Sequence, residues 1–188
     1  MILRKLVESL ENAPVIMKGD YPYFIHPLTD GVPELDPDIV REVVSGIIRI
    51  ADLDVDKIVT VEAMGIPIAV GLSLAVNLPI VVVRKRAYNL PNEIVVDQET
   101  GYSKGKLYIN GIERGDRVIL VDDVISTGGT AMATLKALEK AGAEVRDFVA
   151  VIEKGEGAEK LRKMGMKVKS LVKIEVSAEG VRVVDYLR

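Results

Sequence analysis

The residues best suited to do chemistry lie in segment 118–130, where an apolar run ends in two adjacent carboxylates, Asp122 and Asp123. A loop of small and hydroxyl-bearing residues follows, namely Ser126, Thr127, Gly128, Gly129 and Thr130. Glycines allow the backbone to approach a ligand closely, and the N-terminus of a following helix offers N–H groups to an anion. We therefore expect a monophosphate site, with two carboxylates beside it that can accept hydrogen bonds from vicinal hydroxyls such as those of a ribose.

The alternative for this segment is an ordinary strand-to-helix turn with capping residues. A Walker loop would need a Lys after its last Gly, and a dinucleotide-binding loop would need the pattern GxGxxG. Segment 126–130 has neither feature. An acidic pair together with three hydroxyl residues is more than a turn requires, which favours the ligand site.

The thirteen residues VILVDDVISTGGT resemble the signature of the type I phosphoribosyltransferases, which bind 5-phosphoribosyl 1-pyrophosphate (PRPP). The resemblance implies that Asp122 and Asp123 hold the ribose hydroxyls as the catalytic acidic pair, and that residues 126–130 bind the 5′-phosphate. It also implies a parallel sheet flanked by helices, with a small hood from the N-terminal and C-terminal segments. A homodimer is implied too, together with a Mg²⁺ cofactor held mainly through PRPP rather than by direct protein ligands.

Two other strand ends carry residues suited to a second anion. One is a short loop of Glu62, Ala63, Met64 and Gly65, and the other is a basic run that begins with Arg84 and Lys85. The alternatives are an ordinary strand-to-helix turn and a solvated charge run. The family resemblance implies that both bind pyrophosphate. Met64 stands where relatives often have Arg, so part of the pyrophosphate charge would have to be neutralised elsewhere.

A long polar connection, residues 87–106, is unusual for a compact domain unless it is functional. Its Asp97–Gly101 stretch matches the D-x-E-x-G pattern of a mobile loop in the adenine-type enzymes. The resemblance implies a lid that excludes water from the reaction. It also implies that Glu99 acts in proton transfer or positions the base. The alternative is a β-hairpin without a catalytic role.

Three residues are candidates for binding a purine base. Phe24 resembles the hood aromatic that stacks on the base in adenine-type enzymes, and Val124 could cover the other face. Lys154 offers only hydrogen-bond donors, so it favours a base with a carbonyl at C6. The alternatives are core packing for Phe24 and an exposed strand-end position for Lys154. His26, the only histidine, is expected to be structural.

These segments must be positioned by alternating strands and helices, which predict an α/β fold with a parallel sheet covered on both faces. The predicted helices cover residues 1–12, 37–51, 66–76, 130–141 and 156–164, and the predicted strands cover 57–61, 79–83, 117–121, 144–152 and 167–176. Residues 21–37 are expected to be an ordered loop, and residues 13–36 are expected to form the N-terminal hood. Ligands of such sheets bind beyond the carboxyl ends of the strands, where the candidate residues fall.

Composition limits the function classes. The chain has 188 residues, which favours one domain spanning 1–188. The net charge of −3 argues against a nucleic-acid partner, and the absence of cysteine excludes disulfides and thiolate metal sites. The start lacks the apolar core of a signal peptide and no stretch has transmembrane length, so we expect no membrane partner and a cytoplasmic location.

The combined pattern is similar to the archaeal hypoxanthine/guanine phosphoribosyltransferases. It implies purine salvage, in which the 5-phosphoribosyl group of PRPP is transferred to N9 of hypoxanthine or guanine. Two alternatives stay open. One is the same chemistry on adenine, xanthine or orotate, and the other is a regulator that senses PRPP without turning it over.

Overall fold

The computed structural model of the protein describes residues 3–99 and 104–187. The helices are α1 (Arg4–Glu11), α2 (Pro27–Asp30), α3 (Pro37–Ile50), α4 (Gly65–Val76), α5 (Gly129–Ala141) and α6 (Gly157–Lys163). The strands are β1 (Val15–Lys18), β2 (Tyr21–Phe24), β3 (Lys57–Val61), β4 (Ile80–Val83), β5 (Ile94–Glu99), β6 (Lys104–Ile109), β7 (Arg117–Ile125), β8 (Glu144–Lys154), β9 (Val168–Ser177) and β10 (Gly180–Tyr186).

A six-stranded sheet in the order β10-β9-β8-β7-β3-β4 forms the centre of the molecule. Its five strands from β9 to β4 run parallel, whereas β10 pairs with β9 antiparallel. The parallel register aligns Thr60 with Val121 and Asp122 with Ala150, so the candidate strand ends meet at one edge of the sheet. The predicted α/β fold is confirmed, and β10 is a strand that the sequence pattern did not predict.

The two faces of the sheet are buried under different helices. Neighbouring residues such as Ile119 and Leu120 belong to separate core clusters, because successive side chains of a strand point to opposite faces. One cluster packs under α1, α3 and α4, and the other packs under α5 and α6. This two-sided burial explains why the strands are continuous Val and Ile runs.

The main differences from the expected elements occur near the site. Strand β7 continues past Val121 through the acidic pair to Ile125, because its parallel pairing with β8 continues to Glu153. Strand β8 likewise includes Lys154. The expected hood segment 13–36 contains the antiparallel hairpin β1–β2 and the short helix α2, so the part expected to be a loop, 21–37, includes a strand and a helix. Pro22 is tolerated there because a two-stranded ribbon has free edges.

Candidate active site

The acidic pair lies on the last part of β7, between β3 and β8. Asp122 is 9% exposed, and its Oδ1 accepts a hydrogen bond of 3.0 Å from the backbone N–H of Asp123. Burial, followed by the charge of Asp123, raises the pKa of Asp122 well above its usual value. Burial also raises the pKa of Asp123 to about 6. Two desolvated carboxylates side by side are suited to a ligand that donates hydrogen bonds or carries positive charge.

The loop that follows β7 surrounds a small cavity of about 130 Å³, lined by Asp122, Val124, Ile125 and residues 126–131. Gly128 has a left-handed φ of 83° immediately before α5, and its carbonyl accepts a hydrogen bond of 2.8 Å from Met132 N. Glycine adopts this conformation without strain. The turn directs the N-terminus of α5 towards the cavity, which is an arrangement suited to a phosphate group.

The loop between β3 and α4 adjoins the acidic pair. A Cβ atom on Gly65 would stand 2.2 Å from Thr60 Oγ1 and 3.0 Å from Asp122 Oδ1, so this position needs glycine for space. The Glu62–Ala63 peptide bond is cis. The Met64 side chain is directed at α2, since its Sδ and Cε lie 3.5 Å from where a Cβ on Gly31 would stand. Its uncharged side chain thus leaves only the backbone of this loop for an anion.

Glu62 connects this loop to the basic run after β4. Its carboxylate forms an ion pair of 3.1 Å with Arg84 and accepts a hydrogen bond from the backbone N–H of Lys85. The Arg84 guanidinium is therefore engaged with Glu62 rather than free. The Lys85 side chain is exposed, and its charge acts to lower the pKa of Asp122. Of the two predicted pyrophosphate-binding cations, Lys85 is the one available to a ligand at the acidic pair.

The predicted mobile loop contains the antiparallel hairpin β5–β6. Leu107 and Ile109 of this hairpin are fully buried in the core under α5. Gln98 is 9% exposed and donates a hydrogen bond from its side chain to Thr130 Oγ1 in the phosphate loop. The Glu99 side chain and residues 100–103 lie outside the described residues, so the roles of Glu99 and of the lid stay predictions.

The candidate base-binding residues meet the N-terminal hairpin. Lys154 Nζ donates a hydrogen bond of 2.7 Å to Tyr21 Oη and lies 5.6 Å from the centre of the Phe24 ring. Phe24 itself is 5% exposed and belongs to the core, so core packing accounts for most of its surface. Val124 is half-buried and lines the cavity of the phosphate loop. The structure therefore brings Lys154 and Phe24 together, and it leaves little of the Phe24 ring open for stacking.

His26 is removed from this chemistry. It is 1% exposed, its Nδ1 accepts a hydrogen bond from Leu28 N at the start of α2, and its Nε2 lies 2.9 Å from Ser9 Oγ. Burial lowers its pKa to about 4. His26 is thus a neutral side chain that joins α1 to α2.

Comparison with known proteins identifies the family. The model of the phosphoribosyl transferase domain family matches residues 34–185, which is most of the chain. The chain belongs to the phosphoribosyltransferase family. The match includes the acidic pair, the phosphate loop and both proposed pyrophosphate segments, so the resemblance that rested on thirteen residues is confirmed.

Several curated phosphoribosyltransferases are similar over the full length. A protein of Ferroglobus placidus named hypoxanthine/guanine phosphoribosyltransferase is 83% identical over 187 residues, which covers 100% of both chains. A protein of the same name from Methanothrix thermoacetophila is 62% identical and covers 96% of this chain and 95% of its own.

Solved structures of adenine phosphoribosyltransferases share the fold. That of Thermoanaerobacter pseudethanolicus has a TM-score of 0.72 at 23% identity, covering 90% of this chain and 98% of its own. That of Rhodothermus marinus has a TM-score of 0.67 at 25% identity, with coverages of 89% and 97%. At this level of identity the likeness describes architecture and not the choice of base.

Three contacts in this phosphoribosyltransferase were missed from the sequence: Tyr21 with Lys154, Gln98 with Thr130, and Gly157 with the phosphate loop. Tyr21 and Gln98 give no local signal, because each meets a partner that is distant in sequence. Gly157 does give a local signal, since Gly155 and Gly157 flank Glu156 shortly after a predicted strand. Two glycines so close together at a strand end suggest a close approach of backbones.

Proposed function

We propose that this enzyme transfers the 5-phosphoribosyl group of PRPP to N9 of hypoxanthine or guanine and releases pyrophosphate, as a step of purine salvage. The observation that carries the proposal is the meeting of Lys154, the N-terminal hairpin and the acidic pair at one edge of the sheet. Curated relatives of up to 83% identity that bear the hypoxanthine/guanine name support the choice of base.

The proposed donor site uses the two loops beside the acidic pair. The 5′-phosphate binds at residues 126–130, and the ribose hydroxyls donate hydrogen bonds to Asp122 and Asp123. Pyrophosphate lies over the backbone of residues 62–65 and near the Lys85 ammonium. Glu62 holds this arrangement by its contacts with Arg84 and with the backbone of Lys85.

The chemistry requires little covalent participation by the protein. As the bond to pyrophosphate breaks, positive charge develops on the sugar ring and negative charge on the leaving group. In this proposal the acidic pair stabilises the positive charge on the sugar ring. Lys85 stabilises the negative charge on the departing pyrophosphate. The proposed closing of residues 87–106, with Glu99, would keep water from competing with the base.

Base selection is proposed to depend on Lys154. Two of its contacts are already made, to Tyr21 Oη at 2.7 Å and to the Pro22 carbonyl at 3.4 Å. An ammonium has three N–H donors, so one is left for a ligand. A carbonyl at C6 of hypoxanthine or guanine can accept it, whereas the amino group of adenine cannot. Phe24 lies beside Lys154, with its ring centre 5.6 Å from Nζ, and Val124 is proposed to cover the other face of the base.

Magnesium is proposed as the cofactor, and bound Mg²⁺ would neutralise charge on the departing pyrophosphate. Among residues 3–99 and 104–187 no cluster of three or more His, Asp or Glu side chains is placed to hold a metal ion. The acidic pair is assigned to the ribose hydroxyls in this proposal. The proposed Mg²⁺ would therefore be held mainly through PRPP and water rather than by direct protein ligands.

We further propose that the enzyme is a cytoplasmic homodimer. No helix within the described ranges is long and apolar enough to cross a membrane. The chain contains no cysteine, which is compatible with a reducing compartment. The homodimer rests on the family to which the chain belongs.

A pyrophosphate-release assay with PRPP, Mg²⁺ and a panel of bases tests the proposal. We expect turnover with hypoxanthine and guanine and much lower kcat/KM with adenine, xanthine and orotate. A preference for adenine or xanthine would overturn the choice of base and leave the reaction intact. PRPP binding without turnover of any base would instead favour a PRPP-sensing regulator.

A further inference from the structure

The backbone after β8 lies against the phosphate loop. Gly157, the first residue of α6, donates a backbone hydrogen bond of 2.8 Å to the carbonyl of Ser126. Two residues earlier, Gly155 also faces this carbonyl, since its Cβ would stand 3.6 Å from Ser126 O. The start of α6 and the proposed 5′-phosphate loop are thus in direct backbone-to-backbone contact.

No side chain fits between these two backbones. A Cβ atom on Gly157 would stand 2.4 Å from Ser126 O, 2.6 Å from Gly128 N and 2.6 Å from Thr127 C. All three are backbone atoms, so no flexible side chain could move aside to relieve the overlap. The φ of Gly157 is outside the left-handed range, and the requirement for glycine is therefore one of space alone.

The contact is mutual. A Cβ on Gly128 would lie 3.3 Å from both Cα and O of Gly157. The left-handed turn at Gly128, which directs the N-terminus of α5 at the cavity, is therefore packed against Gly157. A shift of this turn would move the backbone N–H groups that would bind the phosphate.

We infer that Gly157 is a positioning residue for the 5′-phosphate of the donor, an inference that rests on the proposed function. It keeps the 126–128 backbone close to α6, and it fixes that backbone by its hydrogen bond to Ser126. A displacement of about 1 Å in a binding group can cost on the order of 100-fold in rate. Even the methyl group of alanine would require a displacement of that size.

The same stretch of backbone carries Lys154, the last residue of β8. Residues 154–157 therefore contact the N-terminal hairpin through Lys154 and the phosphate loop through Gly157. The base side and the phosphate side of the proposed site share one short segment. The left-handed φ of 71° at Gly155 and the lack of space for a Cβ at Gly157 explain the two glycines of this segment.

The test compares Gly157→Ala with Ala158→Gly, measured on the full-length enzyme. Ala158 is fully buried in α6, and its replacement by glycine lowers the helix propensity without adding an atom against the phosphate loop. We expect Gly157→Ala to raise the KM for PRPP at least tenfold and to weaken ribose 5-phosphate binding equally in calorimetry. Binding of Mg²⁺–pyrophosphate should be unchanged in both variants, and Ala158→Gly should keep wild-type affinity for ribose 5-phosphate.

Hydrogen–deuterium exchange on the wild-type enzyme covers the case in which Gly157→Ala does not fold. Ribose 5-phosphate should slow exchange at the amide of Gly157, because the hydrogen bond to Ser126 O is stabilised when the loop is occupied. Unchanged exchange, or unchanged ribose 5-phosphate affinity in Gly157→Ala, overturns the inference. Equal loss of ribose 5-phosphate and pyrophosphate binding would do so as well. Failure of the wild-type enzyme to bind ribose 5-phosphate would instead overturn the proposed function and this inference with it.

Discussion

At the scale of single residues, the acidic pair is held in an environment that opposes its ionisation. Asp122 and Asp123 are adjacent, Asp122 is buried and Asp123 is half-buried, and both have a raised pKa. The nearby Lys85 opposes this only in part. Such a pair is costly in the free enzyme, and the cost is relieved when hydroxyl donors and a cation bind. Removal of one of these charges is therefore expected to weaken ligand binding and to raise the free energy of unfolding.

The variant Asp123→Asn tests this opposition. Because the pKa of about 6 in the folded protein lies above the ordinary aspartate value of 3.8, the wild-type carboxylate destabilises the folded state above pH 6. This effect disappears as the pH falls towards 4. The neutral amide should raise the free energy of unfolding at pH 7.5 by about 1–2 kcal/mol. It should also raise the KM for PRPP at least tenfold. Urea unfolding and steady-state kinetics measure the two effects.

Asp116→Asn is the matched control, and its expected effect on the free energy of unfolding is opposite to that of Asp123→Asn. Asp116 accepts a hydrogen bond of 2.6 Å from Lys57 Nζ, and this bond helps to lower its pKa. Its carboxylate therefore stabilises the fold at neutral pH, and the variant should lose stability while keeping the KM for PRPP. A loss of stability in both variants, or an unchanged KM in Asp123→Asn, would contradict the role of the acidic pair.

Lys154→Met tests the proposed selection of the base. Methionine keeps an apolar stem of similar length and removes all donors, so the C6 carbonyl of hypoxanthine loses its partner while adenine loses nothing. The kcat/KM ratio of hypoxanthine to adenine should fall at least tenfold. Lys18→Met is the control, because Lys18 also contacts a tyrosine of the β1–β2 hairpin, with its ammonium 3.3 Å from the centre of the Tyr23 ring. An unchanged ratio in Lys154→Met would remove Lys154 from base selection.

At the scale of elements, the site depends on how closely the strand-to-helix junctions approach one another. The β3–α4 loop reaches the acidic pair only because Gly65 has no side chain, and its nearest neighbour is the hydroxyl of Thr60. Thr60 Oγ1 is buried without a hydrogen-bond partner among the described residues. The shortest approach at this junction is therefore to a side-chain hydroxyl, which can be removed by mutation.

Gly65→Ala should impair the enzyme, and Thr60→Ala should partly restore it. In the single variant the new methyl group would overlap Thr60 Oγ1, which displaces the loop and weakens Mg²⁺–pyrophosphate binding at least tenfold. Removing the hydroxyl in the double variant leaves only the 3.0 Å approach to Asp122 Oδ1. Calorimetry with Mg²⁺–pyrophosphate on the wild type, the two single variants and the double variant gives the coupling free energy between the two positions. Additive effects would show that the Thr60 contact does not limit the junction.

The β5–β6 hairpin shows the same dependence on packing. A polar connection that the sequence suggested as a mobile loop is fixed by the burial of Leu107 and Ile109 on β6, and near its tip by the hydrogen bond from Gln98 to Thr130. Any lid movement of the described part of this hairpin must therefore break the Gln98 contact. The phosphate loop and the proposed lid are thus linked through Thr130.

At the scale of the whole molecule, His26 ties the N-terminal elements to the core. It contacts Ser9 of α1 and caps α2, and its pKa of about 4 lies below that of a free histidine. The folded protein therefore holds the His26 side chain in its neutral form. Its contribution to stability is therefore full above pH 6.5 and is lost as the pH falls towards 4.

His26→Ala should lower the free energy of unfolding at pH 7.5, and the difference from the wild type should shrink at pH 5. The wild type loses up to about 2 kcal/mol between pH 7.5 and pH 5, because unfolding exposes a histidine that takes up a proton. The alanine variant has no such loss. His26→Asn separates the two effects, because asparagine can cap a helix but does not titrate. Parallel pH profiles for wild type and His26→Ala would contradict the buried neutral state.

The sequence by itself determined those features that depend on neighbours along the chain. Strand β3 has the predicted limits, and the remaining predicted helices and central strands are correct to within a few residues, because the Val and Ile runs and the helix caps act locally. The acidic pair and phosphate loop are readable for the same reason. Their chemistry is contained in one strand, one turn and the start of one helix.

Only the tertiary structure decided which distant groups meet. Lys154 contacts Tyr21 across 133 positions, and Gly157 packs on the loop after the neighbouring strand. The tertiary structure also decided that Arg84 is paired with Glu62, that Phe24 is mostly buried and that β10 forms an antiparallel edge strand of the sheet. These outcomes depend on sheet order, register and the space between backbones, none of which is a property of any short segment.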